Sequence, residues 1–100
     1  MIRSFLVCYD ICNPKRLRKV YSVMRSYGEH IQYSVFLCEL TQKLEHQMKD
    51  DLRAIIEERE DQILIIPLQY RIYFETIGLP LANRERELIL VMNELDDEND

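Results

Sequence analysis

The 100-residue chain is short of the features that mark several protein classes. Its longest fully apolar runs, Ile63 to Ile66 and Leu88 to Met92, fall far below the ~20 residues a membrane-crossing helix needs. The start, MIRSFLVCYD, has one early Arg and then an acid, without the long apolar stretch and small-residue cleavage site of a secretory signal. A soluble protein with a cytoplasmic address is therefore expected. Cysteine is scarce and odd in number: Cys8, Cys12 and Cys38 lack the C-x-x-C spacing of zinc or redox sites and are read as reduced core or near-core residues. His30 and His46 stand on different predicted elements, away from any ligand set, and are read as surface histidines. Only two glycines are present, and no glycine-rich loop follows the first apolar run, which counts against small-effector and acylphosphatase-type sites.

What is present is a balanced composition, 47% apolar and 31% charged, the makeup of one folded domain without disulfide help. The net charge is −5, but it is unevenly spread. Residues 11–28 hold Lys15, Arg16, Arg18, Lys19 and Arg25 and no acid, a local +5 that leaves −10 for the rest. A basic patch on an acidic chain suits docking a polyanion at one face, and the low pI argues against indiscriminate wrapping of nucleic acid.

Ile2 to Asp10 is apolar and β-favouring and ends at Asn13-Pro14, a helix start with Asn as N-cap and Pro at the first helical position. Leu17, Val20, Tyr21 and Met24 then form one helical stripe, and Gly28 is placed for a left-handed C-cap. Ile31 to Leu40 is β-branched and aromatic, and the segment from Glu29 to Leu40 is expected to be two strands broken near Tyr33-Ser34 rather than one long strand. Thr41 caps a second predicted helix that carries Leu44, Met48, Leu52, Ile55 and Ile56 on one face through Glu58. Ile63 to Ile66 reads as a central strand, with Pro67 marking a ladder open on one side.

The predicted class is α+β: a ferredoxin-like β-α-β-β-α-β sandwich over residues 1–78. Residues 79–95 are an expected C-terminal extension, and 96–100 a solvated acidic tail. Arg71 to Ile77 and Leu88 to Met92 add β-prone segments that the four-stranded sheet does not need, which suggests pairing with another subunit.

Tyr9-Asp10-Ile11 at the end of the first strand, Arg16 and Arg18 in the next helix, Gly28, then Gln32-Tyr33-Ser34-Val35-Phe36, and finally Glu75-Thr76-Ile77-Gly78, form an ordered set. In that order and at this length the set resembles the CRISPR-associated protein 2 family, the small subunit of the spacer-acquisition machinery. The resemblance implies a homodimer in which an extra C-terminal strand completes a sheet across the two subunits. It also implies association with the integrase, CRISPR-associated protein 1, and a metal-dependent endonuclease activity reported for some members. A VapD-like RNA-cleaving toxin and a non-catalytic ferredoxin-like regulatory domain are the alternative readings.

Within that frame Asp10 is the expected catalytic residue and metal ligand. Mg²⁺ or Mn²⁺ is commonly held by one or two carboxylates, with water and phosphate oxygens filling the octahedron, so two Asp10 side chains near a twofold axis would suffice. The competing role for Asp10 is structural, a turn residue bonded to the loop or the first helix amides. Arg16 and Arg18 are expected to contact phosphate, because a guanidinium grips phosphate oxygens bidentately and the exposed amides of a helix start favour anions. Tyr9 and Phe36 are candidates for stacking on bases, weighed against core positions, and Ser34 for orienting a phosphate or water. Leu88, Ile89, Leu90 and Val91 are the expected partner-binding residues.

Overall fold

The computed structural model describes residues 1–69 and 75–79. Six elements follow in order: β1 (Arg3–Asp10), α1 (Pro14–Tyr27), β2 (Gly28–Gln32), β3 (Val35–Leu40), α2 (Gln42–Arg53) and β4 (Gln62–Leu68). The strands form an antiparallel sheet in the order β2-β3-β1-β4, the ferredoxin-like arrangement. Among the described residues no helix is long and apolar enough to cross a membrane.

Strict alternation along β1 divides the sheet into two faces. Phe5, Val7 and Tyr9 are buried toward the helices, and Leu6, Cys8 and Asp10 point the other way. The helix side receives Leu17, Val20, Tyr21 and Met24 from α1 and Met48 and Leu52 from α2, with Phe36, Cys38 and Leu40 from β3. Fully burying a side chain such as Phe36 or Met48 contributes about 1.5–3 kcal/mol, so this face supplies most of the fold's stability. Burial also pushes the Cys38 thiol up to about 11, which keeps it protonated and inert.

α1 begins as its sequence predicts. The Asn13 side chain accepts hydrogen bonds from Lys15 N (2.9 Å) and Arg16 N (3.1 Å), while its carbonyl takes Leu17 N. Thr41 caps α2 in the same way, its hydroxyl accepting from Leu44 N at 3.2 Å. The break between β2 and β3 falls at Tyr33-Ser34, where Ser34 adopts a positive φ of 62°.

Several local expectations are corrected. Gly28 is not a left-handed cap: its φ of −159° and ψ of −175° are extended, and it opens β2. It is glycine because of space, since a Cβ there would stand 2.5 Å from Cys38 Sγ and 2.6 Å from the Leu37 carbonyl oxygen. α2 stops at Arg53, short of Glu58, because the Glu57 amide donates to the Asp61 carboxylate (2.9 Å) and the chain folds into a closed loop. In α2 Glu45 is buried, 3.6 Å from Lys49, whereas Leu44 lies exposed. β4 is not central. Among the described residues it pairs with β1 alone and forms the sheet's edge, which accommodates Pro67. Cys12 is exposed rather than near the core. The expected strands at 71–77 and 88–92, the 79–95 extension with Leu88, Ile89, Leu90 and Val91, and the acidic tail lie wholly or largely outside the described residues.

Candidate nucleic-acid and metal site

The C-terminal end of β1 collects the residues that carry charge and chemistry. Asp10 is exposed, its Cα in register with Gln62 at the start of β4. From the other side, Tyr9 N donates to the Ser34 carbonyl at 3.0 Å, bringing the β2–β3 turn beside Asp10. The Ile11 to Asn13 connection leads into α1, where Arg16 occupies the first turn.

Among the described residues the Asp10 carboxylate makes no hydrogen bond or ion pair, and its structural competitors are already in place. The Lys15 and Arg16 amides belong to Asn13, and Cys12 N donates to Asp61 Oδ1 at 3.0 Å. The loop and the helix start are therefore held without Asp10, which leaves its oxygens open to solvent. The described residues contain no cluster of three or more metal-binding side chains. A single exposed carboxylate fits a hydrated hard cation, which keeps most of its waters, and does not fit a closed all-protein cage.

Arg16 is placed differently from the expectation of an open phosphate-gripping side chain. Its Nε donates to Asp61 Oδ2 at 2.7 Å, and its Nη2 to Asp61 Oδ1 at 3.2 Å and Glu60 Oε2 at 2.8 Å. The Asp61 side chain is completely buried, and Arg16 and Glu60 side chains are 22% and 57% exposed. The Arg16 guanidinium, helped by the Glu57 and Cys12 amides, holds the Asp61 carboxyl down at about 2, well below its usual range. Asp61 in turn is the main reason the Arg16 pKa is raised further. The helix-start amides, expected to favour anions, are likewise occupied by Asn13.

Tyr9 and Phe36 are core residues, which corrects the base-stacking expectation. Tyr9 is 6% exposed and Phe36 0%, with ring centroids 6.2 Å apart. Burial, reinforced by Tyr21 and Tyr33, pushes the Tyr9 phenol far above its ordinary value. His30 is also internal, its ring 4.9 Å from Phe36 and 5.5 Å from Tyr21, and is no surface histidine. Arg18 lines an open groove along α1 with Lys15, Lys19, Ser22, Val23 and Ile55, the polar and basic side of that helix.

Sequence reasoning missed Asp61 and Glu60. They stand 45 and 44 positions from Arg16, and only the α2–β4 connection folding back onto the start of α1 brings them there. The one signal available was a run of acids ending at a predicted strand.

A four-stranded antiparallel sheet with two helices on one face, and a lone carboxylate at the end of its first strand, defines a ferredoxin-like α+β protein with an open acidic end. The family model described as CRISPR associated protein Cas2 matches residues 3–76, and the chain belongs to that family. It is 41% identical to the CRISPR-associated endoribonuclease Cas2 2 of Thermodesulfovibrio yellowstonii, over 75% of this chain and 82% of that one. It is 30% identical to a Cas2 endoribonuclease of Rhodospirillum rubrum, over 88% and 90%. Among solved structures, Streptococcus pyogenes Cas2 superposes with a TM-score of 0.62 at 32% identity, covering 75% of this chain and 99% of that one. A hypothetical protein from Thermus thermophilus gives 0.72 at 29% identity, covering 80% and 98%.

Proposed function

We propose that this chain works in CRISPR spacer acquisition as a homodimer that bridges integrase subunits and binds nucleic-acid phosphates, and that it hydrolyses phosphodiester bonds with the help of Mg²⁺ or Mn²⁺. The observation that carries the catalytic part is Asp10: exposed at the end of β1, without a partner among the described residues, in a loop secured by Asn13 and Asp61. A carboxylate left out of the fold's own bonding is available to a cation. Names of related proteins point the same way, since several are called endoribonucleases and one from Thermus thermophilus an endonuclease.

A dimer is supported by the face of the sheet that, among the described residues, no helix covers. Leu6, Cys8, Val35, Leu37, Leu64 and Ile66 lie on the side away from the helices, with Leu64 49% and Ile66 37% exposed. An apolar sheet face with exposed positions of this kind gains from being covered. Asp10 belongs to the same face, so two copies meeting through it would bring their Asp10 carboxylates toward a common axis. Asp10 would hold the cation there, and the bound cation would supply Lewis acidity and a more acidic water. Ser34, beside Tyr9, is the hydroxyl at hand to orient a phosphate or that water. Arg18, with Lys15 and Lys19, gives the nucleic acid a basic track along α1.

Asp10→Asn tests the catalytic role. Metal-stimulated cleavage of RNA or DNA should disappear while dimerisation and nucleic-acid binding persist. A variant that cleaves as fast as the wild type removes Asp10 from the chemistry. Co-purification with the integrase checks the bridging role separately.

A further inference from the structure

Arg16 has two carboxylate partners of opposite character. Asp61, with no exposed side-chain surface, holds the guanidinium by its edge through Nε and Nη2. Glu60, 57% exposed, takes the outward side of the same Nη2 at 2.8 Å. The first contact fixes where the guanidinium points, and the second takes the remaining N–H of Nη2.

We propose that Glu60 stands in for a nucleic-acid phosphate on Arg16, so that a phosphate oxygen binds there by displacing the Glu60 carboxylate while Asp61 keeps its hold. The proposal rests on the nucleic-acid-binding reading above and names a phosphate subsite within it. A carboxylate oxygen and a phosphodiester oxygen are both anionic acceptors, and each takes one charge-assisted hydrogen bond from the same Nη2. The exchange conserves Arg16's bonds and returns the Glu60 carboxylate to water, which it already half faces. Exposed ion pairs are weak, and the buried Asp61 pair is not given up, so the exchange disturbs only the outer contact.

The surroundings favour this subsite over its neighbours. The α1 amides that usually draw phosphate to a helix start are occupied by Asn13, so at this end of the helix an anion must be met by side chains, among which the Arg16 guanidinium is the one held in place by a buried partner. Lys15 and Lys19 are exposed on the same helix, adding positive charge along it. Glu60 belongs to the short loop Glu57–Asp61, closed by Glu60 N and Asp61 N donating to the Glu57 carbonyl at 3.0 and 2.8 Å. A carboxylate tethered on so short a loop competes at high effective concentration, and an incoming polyanion must outdo it. An acidic protein with a basic patch is thereby kept from holding nucleic acid indiscriminately.

The test measures affinity for a fluorescein-labelled DNA duplex, and for a single-stranded RNA of the same length, across a salt series. Glu60→Gln should tighten binding by about two- to fivefold at low salt, the range an exposed ion pair supports. Glu58→Gln removes the same charge from an exposed side chain of the same loop that does not touch Arg16, and should give a clearly smaller gain. In an Arg16→Gln/Asp61→Asn background, where neither charge is left buried alone, the Glu60→Gln gain should collapse to that of Glu58→Gln. Equal gains from both Gln variants, or a gain that survives without Arg16, overturn the Glu60 proposal and leave nucleic-acid binding standing. No binding by either the wild type or Glu60→Gln overturns both.

Discussion

Arg16 Nε lies 2.7 Å from Asp61 Oδ2 and ties the first turn of α1 to the residue before β4. Because Asp61 also accepts from Cys12 N and Glu57 N, one buried carboxylate joins the loop after β1 to the loop after α2. Two loops far apart in sequence are thus bonded to one side chain at this end of the sheet.

Asp61→Asn should therefore destabilise the protein by about 2 kcal/mol, below the range for breaking a fully buried pair because Arg16 is partly solvated. The loss depends on pH with a definite sign. The Asp61 carboxyl is held at about 2 against an ordinary 3.8, so its contribution is complete above the ordinary value and fades as pH falls toward 2. Denaturant midpoints of wild type and variant should differ at neutral pH and converge in acid. A gap that stays constant down to pH 2 would show that the ion pair is not its source.

Phe36 separates packing from recognition. The side chain is fully buried against Tyr9, Tyr21 and His30, so Phe36→Ala should cost about 3–5 kcal/mol. Phe36→Leu keeps most of the volume and should cost much less, with nucleic-acid affinity unchanged in whatever fraction is folded. A stable Phe36→Leu protein with sharply reduced affinity would return the ring to the binding surface.

The sheet face turned away from the helices makes a prediction about assembly. Leu64→Glu places a charge on that face, opposite Cys8, without touching the core. The subunit should remain folded by circular dichroism while its mass in light scattering falls from two copies to one. A variant that stays dimeric would mean that the subunits meet through another surface.

Most of the fold was legible because it rests on local chemistry. Asn13-Pro14 starts a helix wherever it occurs, Thr41 starts another, and the stripe of Leu17, Val20, Tyr21 and Met24 can face only one way. What misled were residues whose role is set by a distant neighbour. Gly28 is required by Cys38 and Leu37 across a strand pair, not by its own φ. His30 looks polar in sequence, but the β2–β3 pairing sets it opposite Phe36, inside the core. The candidate site was legible only where its pattern is local. Asp10 was singled out as the one acid between a strand end and a basic helix, whereas Arg16 was assigned to an external partner because Glu60 and Asp61 are separated from it by two strands and a helix.

The alternation along β1 has a further consequence for how this protein tolerates change. Phe5 and Val7 share the side of Tyr9, and Asp10 takes the other, because the strand keeps an unbroken count of two from Arg3 onward. Deleting one residue inside that strand, even a partly exposed one such as Leu6, would put the stretches before and after the gap out of phase, so that one or the other turns inside out. Either Phe5 is turned out to water, or Val7 and Tyr9 are and Asp10 is carried into the oily interior. Substitutions at the strand's outer positions are survivable, but its length is not negotiable.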